Sequence, residues 1–301
     1  MSDDVLRNSA NIDQARYWNS ASGKKWVTLQ EGIDRTFSTI NDRLLERAAP
    51  RSGDRVLDVG CGTGATSMIF ADQVGIDGAV VGIDISQMLV NLAEIRCSDN
   101  GLDRVEYRVS DVQTHDFEND RFDLITSRFG VMFFEDPVSA FANLANTLGP
   151  NGRLVFVSWA GIDGNPWFEA PRDAAIEQLG EPGSTDPTAP GPLAFADINY
   201  VHGILDKAGF AECVGEEETV YMFNPGTVEE VAHLASNIGP AARILKEFDG
   251  TSEDITRISR AVAESFGKYV VDGGVSIPAI LNFFEAAKFE AARSKVERGN
   301  K

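Results

Sequence analysis

The densest chemistry in the chain lies in Val56-Leu57-Asp58-Val59-Gly60-Cys61-Gly62-Thr63-Gly64. Glycines at this spacing let a backbone turn tightly and approach a ligand with no Cβ between them. A helix starting there would present free N–H groups and the positive end of its dipole. Asp58 puts a carboxylate two residues before the first glycine, and Asp84 lies twenty residues beyond Gly64. An acid at that distance, at the end of a second strand, can accept the hydrogens of two adjacent sugar hydroxyls. Asp111 supplies a third carboxylate after a third strand.

Two ligand classes fit the glycines alone, because Gly60-x-Gly62-x-x-Ala65 also satisfies the dinucleotide fingerprint. Three features separate them. A pyrophosphate would be repelled by Asp58, whereas the ammonium of a methionine moiety would be attracted to it. Asp111 stands where an acid can accept a hydrogen from the adenine amine. The fifth strand is followed by a helix and two candidate strands able to pair as a hairpin. Together they point to S-adenosylmethionine.

These residues must be held by alternating strands and helices. Apolar runs at Arg55–Val59, Ala79–Ile83, Val105–Val109, Phe122–Thr126 and Arg153–Ser158 read as strands. Between them Ala65, Met68, Ile69 and Val74 recur at helical spacing, Ser86 N-caps a helix bearing Leu89, Leu92 and Ala93, and Asp136-Pro137 starts another. Such alternation implies right-handed crossovers and an α/β fold with a parallel sheet covered on both faces. After residue 160 the rhythm breaks at a loop with Pro182, Pro187, Pro190 and Pro192. It resumes with a helix over Asp197–Ala208 and a strand over Glu212–Phe223, and residues 226–270 read as helices. Ile277–Ala286 fits a last strand, with a helix over Asn282–Val296 as the alternative.

Val56–Gly64, Val81-Gly82-Ile83-Asp84-Ile85-Ser86 and Ser110-Asp111-Val112 resemble motifs I, II and III of the class I methyltransferases, most of all the ubiquinone/menaquinone-biosynthesis or type 11 group. The likeness extends to Ser127-Arg128-Phe129-Gly130-Val131-Met132-Phe133-Phe134-Glu135-Asp136-Pro137 and Pro150-Asn151-Gly152-Arg153-Leu154. It implies a Rossmann-like, seven-stranded, mostly parallel sheet of order 3-2-1-4-5-7-6, strand 7 antiparallel, with a mostly helical cover over the active site. It implies that Asp58, Gly60, Cys61, Gly62 and Gly64 surround the methionine part. Asp84 would hold the ribose, with Ile85 and Met88 beside it, Asp111 and Val112 would flank the adenine, and Ser127 and Arg128 would close the site. Cys61 is then a small filler rather than a catalytic thiol. The expected division is a cover segment over 1–49, a cofactor-binding core over 50–160, a cover insertion over 161–196, a return to the core over 197–225, and a helical insertion with the last strand over 226–301.

The expected reaction is in-line displacement at the activated methyl by an O, N or C nucleophile of a small-molecule acceptor. That demands alignment and exclusion of water more than a base. His115 and Arg128 are the polar groups nearest by motif position. Tyr17, Trp18, Phe129 and Trp167 are candidates for an aromatic acceptor pocket, with anchoring of the cover as their competing role. The alternatives are a non-catalytic S-adenosylmethionine or S-adenosylhomocysteine binder and an NAD-dependent dehydrogenase. Asn165-Pro166-Trp167-Phe168 superficially resembles the motif of DNA amino-methyltransferases, but it follows the fifth strand rather than the fourth.

A formal net charge of −19 opposes nucleic acid and acidic membrane surfaces. Three scattered cysteines and three isolated histidines give no disulfide framework and no metal site. His202, opposite its helix's apolar stripe, reads as solvated. An acidic start at Asp3-Asp4 and the lack of a run near ~18 apolar residues lead to a cytoplasmic expectation. Oligomeric state and acceptor identity have no signature.

Overall fold

A computed structural model describes residues 10–102 and 104–288. Four helices precede the sheet: α1 (Ile12–Trp18), α2 (Ala21–Thr28), α3 (Gln30–Thr36) and α4 (Ser38–Ala48). Then come β1 (Arg55–Val59), α5 (Ala65–Val74), β2 (Ala79–Asp84), α6 (Gln87–Asp99), β3 (Val105–Val109), β4 (Phe122–Arg128), α7 (Pro137–Thr147) and β5 (Leu148–Trp159). The chain continues with α8 (Pro166–Leu179), α9 (Ile198–Lys207), β6 (Phe210–Asn224), α10 (Val228–Asn237), α11 (Pro240–Glu247), α12 (Ser252–Phe266), β7 (Val270–Val271) and β8 (Gly274–Lys288).

The strands line up β3-β2-β1-β4-β5-β8-β6, and β7 pairs only with β8. β3 to β5 are parallel, and β8 runs antiparallel between β5 and β6. The expected Rossmann-like order therefore holds, with one adjustment: the two-residue β7 precedes the antiparallel strand between β5 and β6 in the chain, so that strand is the eighth. Residues 277–288 are strand, which decides the open choice for this part; 289–296 lie outside the described residues. The reason is pairing on both sides, since Arg153–Trp159 and Phe210–Asn224 both register with β8.

The inner parallel strands are buried on both faces, as the run Val56–Val59 shows, whereas β3 at the edge is only half-buried. β6, at the edge, alternates instead. Side chains of β5 point alternately to two helical layers. Phe156 meets Phe141 of α7 and stacks on Phe284, whereas Arg153 on the other face donates to the Ala48 carbonyl of α4 at 2.7 Å. Caps set the helix starts. Ser86, Asp136 and Asp197 each accept a backbone N–H, and Thr227 and Thr251 open α10 and α12 with capping boxes.

The inserted helices α10, α11 and α12 pack on one another and on α8, and α3 touches α10. Their apolar faces join the sheet in one core through Phe37, Trp159, Trp167, Phe168 and Phe266. His202 corrects its sequence reading. Its Nε2 is buried without a hydrogen-bond partner and its ring lies 6.3 Å from that of Phe284. Gly215 opens this slot, because a Cβ there would lie 2.9 Å from that nitrogen. Among the described residues no helix is long and apolar enough to cross a membrane.

Candidate active site

The glycine loop joins β1 to α5. Gly60, Gly62 and Gly64 all have positive φ (+66°, +54° and +83°), a region that side chains rarely enter. Two of them are also hemmed in. A Cβ on Gly60 would lie 2.6 Å from Gly130 Cα, and one on Gly64 would lie 2.4 Å from the Tyr107 hydroxyl. At Gly62 a Cβ would meet nothing within 4 Å, so the loop leaves open space at that point.

Three carboxylates stand along the carboxyl ends of the strands. Asp84 ends β2 and accepts from the Gly62 N–H at 2.9 Å and the Ser86 N–H at 2.8 Å. Burial raises its pKa, opposed by those amides. Asp58 is fully buried in β1; Oδ2 accepts from Ser67 Oγ at 2.6 Å, and Oδ1 has no partner. Burial pushes its pKa up to about 6, against the pull of Ser67 and Arg128. Asp111, past β3, accepts from Asn11 Nδ2 at 2.7 Å, the Asn11 N–H at 3.1 Å and the Gln113 N–H at 3.0 Å.

The unpartnered Asp58 oxygen sets a pH dependence. Its folded pKa lies above the ordinary carboxylate value of about 3.9, so the folded protein without ligand binds more protons than the unfolded chain between pH 4 and 6. Its stability falls as pH rises through that window and stays lower above it. A cationic ligand group pairs only with the ionised form. Adenosylhomocysteine affinity should therefore rise about tenfold from pH 5 to pH 7. Asp58→Asn should flatten this profile and raise the melting temperature of the ligand-free protein at pH 8. Calorimetric titration and thermal melts check both, and an affinity flat in pH for the unaltered protein would detach Asp58 from the ligand.

The other sequence candidates divide by place. Ser127 Oγ donates to the Val59 carbonyl at 2.7 Å and accepts from the Gly130 N–H at 3.1 Å, locking the end of β4 to β1. Phe129 follows at φ +70°, with its ring stacked on Trp159 at 4.9 Å. Arg128 donates to Asn41 of α4 at 2.8 Å and lies over the Phe37 ring. Cys61 is buried, and burial with Asp84 and Asp58 pushes its thiol well up, so it carries no thiolate. The Ile85 carbonyl accepts from Asn19, and the Val112 carbonyl accepts from Asn143. Met88 Sδ lies 2.9 Å from where a Cβ on Gly23 would be.

The remaining four candidates lie in different settings, His115 close to Asp111, whose carbonyl accepts its N–H at 2.8 Å. His115 bonds Ser110 Oγ through Nδ1 at 2.9 Å and packs edge-on against Phe117. Burial and Arg108 lower its pKa. Trp167 is 1% exposed, between Phe37 and Phe266. Trp18 lies among Tyr17, Trp26 and Phe133, and Tyr17 is partly exposed under the Lys246 ammonium. Among the described residues no three metal-ligating side chains converge.

No motif marked the cover residues that reach this edge. Asn11 joins Asp111 to the Glu135 N–H, and the Trp18 carbonyl accepts from Ser86 Oγ, so α1 runs from the β3 end to the β2 end. Arg96 of α6 donates to the Thr63 carbonyl at 2.6 Å and to Asp34 of α3 at 2.6 Å, tying the glycine loop to the cover.

The comparisons with known proteins agree with this geometry. A family profile described as a methyltransferase domain matches residues 50–181. An aklanonic acid methyltransferase of Streptomyces sp. (strain C5) is 37% identical over 122 residues, covering 40% of this chain and 56% of that protein. The chain thus spans about half the length of that relative. A ubiquinone/menaquinone biosynthesis C-methyltransferase of Teredinibacter turnerae is 31% identical over 179 residues, 56% of this chain and 72% of the relative. In fold the chain matches a Haemonchus contortus phosphoethanolamine N-methyltransferase 2 solved with S-adenosyl-L-methionine, with a TM-score of 0.54, 18% identity, and coverage of 92% of this chain and 60% of that one. With the glycine loop, the strand order and these likenesses together, the dinucleotide alternative falls, and the chain belongs to the class I S-adenosylmethionine-dependent methyltransferases.

Proposed function

We propose that this chain moves the methyl group of S-adenosylmethionine to a small, largely apolar or aromatic acceptor held between the helical cover and the carboxyl edge of the sheet. The observation that carries the reading is the buried Asp58 oxygen without a partner, beside a glycine loop with open space at Gly62. Those residues fit the group: Asp58 would take the ammonium, Gly60, Cys61, Gly62 and Gly64 the methionine stem, and Asp84 the ribose hydroxyls. Ile85 and Met88 would flank the sugar, and Asp111 and Val112 the adenine. Asp111 would meet an adenine amine by sharing with or releasing Asn11. When bound, S-adenosylmethionine supplies an activated methyl on a sulfonium.

The residues of the chain then have three tasks. The ties from Asn11, Trp18 and Arg96 hold the cover down and exclude water. Phe129, stacked on Trp159 with Phe37 beside both, offers an apolar wall past the end of β4. Arg128 stays protonated near neutral pH even though burial lowers its pKa, so it offers positive charge and no base. His115, held to Ser110, is a poor base as well. An acceptor that loses its proton easily or needs none suits such a site. The relatives' names, for aklanonic acid and for ubiquinone/menaquinone, support a small organic acceptor.

The test is release of adenosylhomocysteine from adenosylmethionine over a panel of phenols, quinols, enolisable acids and amines. At least one phenol, quinol or enolisable acid should be turned over. Tight adenosylhomocysteine binding with no turnover of any of them would make the chain a binder without transfer.

A further inference from the structure

An asparagine at a helix start ordinarily turns its side chain back to accept the N–H of the second or third helical residue. Asn11 stands at that position before α1, and its side chain makes no such bond. The carboxamide instead reaches across 100 residues of sequence to the loop that follows β3. Nδ2 donates to Asp111 Oδ1 at 2.7 Å and to Gln113 Oε1 at 3.2 Å, and Oδ1 accepts from the Glu135 N–H at 2.6 Å. The Asn11 backbone N–H adds a bond to Asp111 Oδ2 at 3.1 Å. Asn11 and Asp111 are each 4% exposed, so these bonds form out of water, where they are strongest.

The carboxamide has the form of a nucleobase edge. It hangs an N–H donor and a lone-pair acceptor from one carbon. Adenine hangs its N6 amine and its N1 acceptor from C6 in the same way. Asp111 answers the donor and the Glu135 N–H answers the acceptor, which is the pair that an adenine edge requires. The place does not hold both groups. A backbone N–H is a single donor, and that of Glu135 is taken by Asn11. Asp111 Oδ1 already accepts from Asn11 Nδ2 and from the Gln113 N–H at 3.0 Å. The helix that carries Asn11 is lightly held. α1 has seven residues and Ala15 is its one buried side chain, so few apolar contacts oppose its movement. Its far end is fixed instead, because the Trp18 carbonyl accepts from Ser86 Oγ at 2.8 Å and Asn19 Oδ1 accepts from the Gln87 N–H at 3.0 Å.

We propose that Asn11 is a built-in stand-in for the adenine edge and that α1 is the strap that carries it, pivoting at Trp18 and Asn19. The base gains its bonds to Asp111 and Glu135 only as Asn11 gives them up. This rests on the cofactor reading above and adds the regulation of that site. The strap lowers the affinity of the cofactor, since each base bond gained replaces an asparagine bond lost, and a ligand shifts such an equilibrium only by the difference between the two. It also keeps the buried Asp111 carboxylate hydrogen-bonded while the cofactor is exchanged for the next.

Two binding measurements test this without turnover. In the first, adenosylhomocysteine is titrated calorimetrically against the unaltered protein and Asn11→Ala. Removing a competitor strengthens binding, so Asn11→Ala should bind about tenfold more tightly, the scale of the hydrogen bonds no longer displaced. In the second, hydrogen exchange over residues 10–19 is followed in the unaltered protein with and without adenosylhomocysteine, which needs no variant to fold. Exchange there should become faster when the ligand binds, because the strap loses its anchors at Asp111 and Glu135. Weaker binding by Asn11→Ala would make Asn11 a buttress that aims Asp111 at the base, and that overturns the proposal. Unchanged affinity overturns it too, as does slower exchange over 10–19 in the liganded protein. S-inosylhomocysteine, which carries a carbonyl in place of the amine, separates the strap from the base site beneath it. If the unaltered protein binds it as tightly as adenosylhomocysteine, the base does not meet Asp111 and the proposal falls, while the rest of the cofactor reading stands. Failure of the unaltered protein to bind adenosylhomocysteine at all would bring down both readings.

Discussion

Gly62→Val should abolish the rise in melting temperature that adenosylhomocysteine gives the unaltered protein. The three glycines of the loop differ in what a side chain would meet. At Gly60 and Gly64 a Cβ collides with Gly130 and Tyr107, so substitutions there damage the fold before they report on a ligand. At Gly62 the Cβ points into open space, and the fold loses only the strain of a left-handed residue, about 1–2 kcal/mol. A branched side chain would fill the space assigned to the methionine stem. It would also stand beside the amide that donates to Asp84. A ligand at a hundred times its Kd adds about 2.7 kcal/mol of stability, and that whole increment should vanish. Thermal melts with and without ligand read this directly. A full ligand-induced rise in Gly62→Val would mean that the cofactor does not approach the loop.

Trp167→Ala should destabilise the protein by about 3–5 kcal/mol, the range for removing a large buried ring. The indole is 1% exposed in the first turn of α8, with its ring 6.0 Å from that of Phe37 and stacked over Phe266 at 6.4 Å. Phe37 belongs to the N-terminal cover and Phe266 to the end of α12, so the ring ties three separate parts of the chain together. In a chain of this length the melting temperature should fall by roughly 10 °C, while adenosylhomocysteine still raises it. A variant with an unchanged melting temperature and collapsed turnover would instead make Trp167 a wall of the acceptor pocket, the role its position in the sequence suggested. The burial argues for packing, because a ring closed off on all sides has no face left for a substrate.

The two predictions separate two kinds of information. The glycine loop, the acid two residues before it and the acid ending the second strand are all readable from the chain, because each depends on geometry within a few residues. Positive φ requires glycine, an N-cap requires a short polar side chain, and a strand buried on both faces must be apolar along its length. The antiparallel strand near the C-terminus is legible as a strand over 277–286 but only against a competing helix over 282–296, since its identity depends on two partners that arrive from residues 153–159 and 210–224. Similarly, His202 reads as solvated on its own helix and is half-buried because a glycine on β6 makes room for it. Asn11 reaches Asp111 from 100 residues away, and Asn41 reaches Arg128 from 87. Nothing in the residues near Arg128 could announce its Asn41 partner. Local spacing determined which groups could touch a cofactor; folding the cover back over the sheet decided which of their polar atoms found a partner and which, like Asp58 Oδ1, did not, because only close approach out of water makes a charge need a partner.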